Sequence, residues 1–144
     1  MKFADLHVHT FYSDSTFSPE EVVTWAAKKG LSAVAICDHD SVDGIEPCRA
    51  FGEAAGVEVI PGIELTVEKS DVEIHILGYF FDHKAAWLKS KLKEMQGGRI
   101  DRIYKMVEKL NAEGIDVKAE DVFKLSGEGS VGRLHLAQAM LATG

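Results

Sequence analysis

Apolar and polar positions divide the chain into two stretches with different periods. In the first half, short apolar runs alternate with helical patterns. "KFADLHVH" reads as a strand, and "FSPEEVVTWAAKKG" as a helix capped by Ser18, with Pro19 at its first position, Glu21 closing a capping box and Gly30 ending it. "LSAVAICDHD" is an almost unbroken apolar run that turns abruptly acidic, as a parallel strand covered on both faces does at its end. "VDGIEPCRAFGEAAG" predicts a helix with Pro47 near its first turn. "VEVIPGIELTVE" and "VEIHILGYFF" predict two further strands, joined by the polar turn "KSD" and compatible with antiparallel pairing. From Lys84 onward the pattern is helical. Leu88, Leu92 and Met95 form one stripe, broken at Gly97–Gly98. Ile100, Ile103, Val107 and Leu110 form a second, and "KAEDVFKLS" and "VGRLHLAQAMLATG" predict two shorter helices. The order is βαβαββ over residues 1–83, followed by a helical segment over 84–144.

Composition narrows this only a little. The 144 residues are 46% hydrophobic and 27% charged, enough for one compact domain with a core. No apolar run is long enough to span a bilayer, and the start lacks the pattern of a secretion signal, so a cytoplasmic location is expected. Cys37 and Cys48 have neither zinc spacing nor disulfide density. The net charge of −7, from 23 acidic and 16 basic residues, argues against a face for long nucleic acid.

The histidines change the picture. His7 and His9 are two apart on a strand and share a face, roughly 6.5–7 Å apart along the chain. His39 ends the second apolar run between Asp38 and Asp40, Glu64 follows the third, and His75 lies in the fourth. Taken singly, each has an ordinary explanation: a hydrogen-bonded strand histidine, turn chemistry for Asp14, a helix cap for Asp38 or Asp40. Together, four histidines and two carboxylates at strand ends would crowd costly polar groups, a conflict that metal ions resolve. Nitrogen and oxygen donors without thiolate point to two or three divalent ions, Mn, Zn or Fe, with Mg compatible. Such a site can lower the pKa of a shared water, supply hydroxide at neutral pH and clamp a displacement at phosphorus. The sequence has no nucleophile elbow, P-loop or dinucleotide fingerprint.

"DLHVHTFYSD", "CDHD", "PGIE" and "EIHILGY", in this order, resemble the polymerase and histidinol phosphatase (PHP) superfamily of metal-dependent phosphoesterases. "RIDRIYKMVEKLNAEGIDVKAEDVF" and "VGRLHLAQAMLATG" resemble the helical insert of its stand-alone bacterial branch. The resemblance implies the N-terminal part of a distorted, seven-stranded TIM-like β/α barrel, incomplete in this chain, with a helical insert. It places His7 and His9 on one ion, Glu64 as a bridge to a second that His75 also holds, and Asp14 and His39 on a third. Asp38 and Asp40 would orient His39 from behind, and Arg133 and His135 would lie near the substrate phosphate. His83 is expected at the surface. Ser15, Cys37 and Leu134 depart from the family's usual Gly, Thr and Pro. Family members run further and supply another His and a D-x-H pair, so the chain is expected to be a piece of a longer protein, completed by that part or by a second chain.

The expected activity is hydrolysis of a phosphate ester of a small molecule or nucleotide (a nucleoside phosphate or bisphosphate, or a short oligonucleotide end) through metal-activated hydroxide. The alternatives are a non-catalytic metal- or partner-binding module and an amidohydrolase-type C–N hydrolase, whose barrels also begin with HxH.

Overall fold

The computed structural model describes residues 2–70 and 72–143. Four strands form one curled sheet in the order β1-β2-β3-β4: β1 (Phe3–Val8), β2 (Leu31–Ile36), β3 (Glu58–Lys69) and β4 (Val72–Tyr79). β1 and β3 flank β2 in parallel, and β4 returns antiparallel to β3. The turn predicted at "KSD" includes Asp71, which lies outside the described residues.

Helix α1 (Pro19–Lys28) starts as its sequence prescribes. The Ser18 hydroxyl accepts the Glu21 N–H, and the Glu21 carboxylate accepts the Ser18 N–H. Helix α2 (Ile45–Ala55) carries Pro47 in its first turn, where no N–H is needed. Its N-cap is Gly44 without a side-chain cap, so neither Asp38 nor Asp40 caps it. Helix α1 packs on β2, α2 on β3 and the two helices on each other; β2 is buried from Ala33 to Ile36, and Val23, Val34, Ile36, Ile45 and Cys48 share one core. The outer strands are poorly covered: Phe3 and Leu6 on β1 are 58% and 50% exposed, Ile74 and Ile76 on β4 44% and 50%.

Helix α3 (Ala86–Ala112) corrects the sequence reading, because it runs unbroken through Gly97 and Gly98. Each mid-helix glycine costs about 1 kcal/mol relative to alanine. Packing at both ends outweighs that cost: Leu92, with Leu88 and Met95, joins the sheet core, whereas Ile103 and Val107 join a separate cluster. That second cluster is closed by Val117 and Val122 from α4 (Ala119–Ser126) and its approach, and by Leu136 and Ala139 from α5 (Arg133–Thr143). His83 is also corrected. It is buried, and its Nε2 lies 2.9 Å from Glu46 Oε1. Lys84 joins the same carboxylate at 2.8 Å, tying the approach to α3 onto the first turn of α2. Among the described residues no helix is long and apolar enough to cross a membrane.

Candidate metal centre

The sheet's pairing continues past β1 and β2 and sets the histidines in place. Cys37 N–H donates to Val8 O, so His7, within β1, and His9, just beyond it, lie beside the end of β2. Their Nε2 atoms are 3.0 Å apart. After β2 the chain makes one more parallel bridge, His39 to Glu64. Asp40 N–H donates to Glu64 O and Glu64 N–H to Asp38 O, which fixes the two segments side by side.

Asp38 organises the loop that returns Asp14 to the cluster. Its carboxylate accepts from Thr10 N–H, Thr10 Oγ1 and Ser13 Oγ, each at 2.7 Å. Burial pushes this carboxyl up against the pull of those three bonds. The loop so held puts Asp14 at 3.3 Å from His9 Nδ1 and 3.4 Å from His39 Nε2. The carboxyl of Asp14 is lowered to about 2, chiefly by the His39 hydrogen bond. Asp40 serves a different neighbour, accepting from Thr66 N–H and Arg99. Neither acid hydrogen-bonds the His39 ring, whose Nδ1 is buried without a hydrogen-bond partner; what they hold is the backbone on either side of it.

Glu64, 4% exposed, is the hub. Its Oε1 is 2.6 Å from His75 Nδ1, and its Oε2 is 2.7, 3.2 and 3.8 Å from His7 Nε2, His9 Nε2 and His39 Nδ1. Burial would raise this carboxyl, but the His7 hydrogen bond, the charge of His39 and the His75 hydrogen bond together hold it below the usual range. Burial lowers His9 and so favours neutral imidazole, the form that ligates metals. Cys37 is no competitor, since burial raises its thiol to about 11.

Three groups of donors each lie within 4.8 Å of one another: His7, His9 and Glu64; His9, Asp14 and His39; and His39, Glu64 and His75. All six residues named from the sequence are thus brought together. These side chains fit divalent cations on two grounds. Imidazole and carboxylate are the donors such ions take, and the orphaned His39 Nδ1 faces the shared carboxylate with no proton partner of its own.

Arg133 and His135 sit at the start of α5. Arg133 is 59% exposed at its side chain, and its Nη1 donates to Glu73 Oε1 at 2.7 Å. His135 is buried, not on the helix surface, and its Nδ1 accepts the Gly132 N–H at 3.0 Å. Burial lowers its pKa. The preceding loop lies on the Asp14 loop: Ser130 N–H donates to Tyr12 O, and a Cβ on Gly129 would stand 2.9 Å from Phe11 and Tyr12 backbone atoms.

Sequence reasoning passed over Glu73, Arg99 and Arg102. Glu73 lies 3.2 Å from His75 Nε2 and also holds Arg102, and the Arg133 hydrogen bond first of all lowers its carboxyl to about 2. Its i, i+2 spacing from His75 on a strand was the available signal. For Arg99 and Arg102, three apart on α3, no local pattern distinguished them from a solvated helix face.

Comparison with known proteins agrees with this geometry. A sequence model of the PHP domain matches residues 5–131. A 5′-3′ exoribonuclease of Haemophilus influenzae is 33% identical over 140 residues, covering 97% of this chain and 51% of that protein. A 3′,5′-nucleoside bisphosphate phosphatase of Chromobacterium violaceum is 28% identical over 141 residues, covering 97% and 50%. Among solved structures, one from Bifidobacterium adolescentis, provisionally described as a metal-dependent phosphoesterase, superposes with a TM-score of 0.88 at 31% identity, covering 98% of this chain and 50% of that one. Another, from Chromobacterium violaceum and described as an amidohydrolase with bound sulfate, gives 0.89 at 28% identity with the same coverage. The chain therefore spans about half the length of the curated relatives it matches, consistent with a partial barrel. With the matched region covering most of its length, the chain belongs to the PHP domain family.

Proposed function

We propose that this chain carries the metal-binding part of a phosphoesterase acting on a small phosphorylated molecule, a nucleoside phosphate or bisphosphate, or the end of a short oligonucleotide. The observation that carries the reading is the buried Glu64 carboxylate ringed by His7, His9, His39 and His75, with Asp14 on the far side of His9 and His39. His7, His9 and Glu64 would hold one ion, and Glu64 and His75 a second. Asp14 and His39, with His9 in reach, would hold a third; Mn, Zn or Fe suit these donors. Bound there, such ions supply electrostatic stabilisation of charge on phosphate oxygens and a water of lowered pKa.

The protein's own groups then have defined tasks. Asp38 holds the loop that presents Asp14. The Arg133 guanidinium, one carboxylate away from His75, can offer its fork to a phosphate in place of Glu73. His135, whose pKa burial lowers, braces the Gly132 turn from which Arg133 projects. A net charge of −7 disfavours a long polyanion and favours a small ligand. The exposed margins at β1 and β4 favour a further polypeptide segment that covers the sheet and completes the ligand set. The amidohydrolase description of the Chromobacterium structure supports C–N hydrolysis as the second reading.

The test is release of inorganic phosphate from a 3′,5′-nucleoside bisphosphate and from short oligoribonucleotides. Release with Mn²⁺, abolished by EDTA and restored by Mn²⁺, is the expected result. Cleavage of amide substrates without phosphate release would assign the second reading. Metal uptake without turnover of any phosphoester would assign a binding module.

A further inference from the structure

Asp40 and Arg99 lie behind the ligand cluster, and the tasks assigned above use neither. Asp40 is 1% exposed and adopts φ +49°, a left-handed conformation unusual for a non-glycine residue. Each of its polar groups is engaged. Its N–H donates to Glu64 O, its C=O accepts from Gln96 Nε2 at 2.9 Å, and Oδ1 accepts the Thr66 N–H at 2.9 Å. Oδ2 accepts from Arg99 Nε at 2.5 Å. Arg99, 6% exposed, also donates through Nη2 to Thr66 Oγ1 and through Nη1 to Val131 O at 3.4 Å.

The segments gripped in this way are those that carry the candidate ligands. Asp40 follows His39, and its N–H is bonded to Glu64 O. Thr66 lies two residues beyond Glu64 and pairs directly with His75 across the β3–β4 ladder. Val131 leads into the turn before Arg133 and His135. One guanidinium therefore ties β3, the segment that follows β2 and the approach to α5 to α3, and Gln96, one turn earlier on the same helix, adds a second tie at Asp40. A lysine could supply the charge but not three directed bonds from a planar fork.

We propose that Arg99 is a positioning residue that acts through Asp40 and Thr66 to fix His39, Glu64 and His75 at metal-binding separations. The proposal rests on the metal reading of these residues but not on phosphoester turnover, so loss of that activity would not touch it.

The test compares wild type with Arg99→Lys, and with the double variant Arg99→Met/Asp40→Asn, which leaves no unpaired buried charge. Ile103→Ala, which weakens the helical cluster that also holds Val131 but removes none of the hydrogen-bonding groups of this network, is the reference for mere loss of stability. Two readouts are used: amide hydrogen exchange of the metal-free protein, and Co²⁺ titration followed by its visible absorption. The expected result is faster exchange at the Asp40, Glu64 and Thr66 amides in both Arg99 variants. Co²⁺ affinity should fall by roughly ten- to a hundredfold with an altered absorption band, as when the outer support of a metal ligand is removed. Ile103→Ala should leave the band and affinity unchanged. Unchanged exchange at those three amides in the Arg99 variants would overturn the proposal, as would a wild-type Co²⁺ band and affinity in both of them.

Discussion

Around Ile36 and Ile45 the chain packs aliphatic side chains against a sheet whose ends gather four imidazoles and two carboxylates, whereas around Ile103, Val117 and Val122 it packs helix on helix, and the cluster's buried members are Ile, Val, Leu and Ala alone. The first region concentrates polar groups that are costly to hold together, so its order depends on what binds there and on pH. The second depends on burial of apolar surface. Helix α3 belongs to both, and Gly97–Gly98 marks the point where it passes from one to the other. The apolar packing of the two regions is thus carried by different ends of one helix, with Arg99 and Arg102 just past the junction reaching back toward the ligand cluster.

The largest effect is expected from Glu64→Ala. It removes the hub shared by two donor groups, so Mn²⁺-dependent phosphate release should fall on the order of a thousandfold, since metal-borne charge stabilisation contributes several kcal/mol. Retained turnover in this variant would break the contrast between the regions at its root. Ile103→Ala makes the opposite cut. With the side chain 1% exposed, its loss should cost about 2–5 kcal/mol, read as a lower urea midpoint, with metal affinity of the folded fraction preserved. A parallel fall in metal affinity would show that the regions are not separable. At the junction, Gly97→Ala and Gly98→Ala should each stabilise by about 0.5–1 kcal/mol, because an added Cβ meets nothing within 4 Å and the helix gains propensity. A lower Tm in either variant would mean that the junction must bend.

The smallest effect concerns acid. Glu46, drawn to about 2 first by the Lys84 hydrogen bond and then by His83, is charged in the folded chain below the pH at which an ordinary glutamate protonates. A depressed carboxyl contributes stability that is present above its unfolded pKa, near 4.5, and is lost as pH falls toward 2. Glu46→Gln should therefore show a shallower decline across that window, measured as denaturation midpoint against pH, and be equal to wild type in slope at neutral pH.

Much of this was legible in the residues because it is written in local chemistry. The capping box at Ser18 and Glu21, the doubly covered run of β2, and the order of strands and helices rest on periodicity and punctuation within a few positions. Five of the six clustered residues stood out because successive strands or their ends carried ionisable side chains among apolar runs, whereas Asp14, in a turn, was named through the family resemblance. What failed depended on partners far along the chain. Gly97–Gly98 suggested a break because intrinsic propensity cannot register two cores gripping one helix. His83 looked like surface because Glu46, thirty-seven positions earlier, was not visible as its partner. Asp38 and Asp40 were expected to orient the His39 ring, but their carboxylates bond Thr10, Ser13, Thr66 and Arg99, partners that sequence proximity could not show.

The contact between Gly129 and the Phe11–Tyr12 peptide has a consequence for reading genetic variation in this chain. Gly127 and Gly129 flank one acidic residue in a short loop and would pass as interchangeable spacers, yet the first faces open space at φ +55° and the second has no room for a methyl group. Exchange of the second for any other amino acid would wedge apart the two loops that bear Asp14 and Arg133. A harmful allele could therefore arise at a position that bears no charge, binds no ligand and bridges no hydrophobic layer.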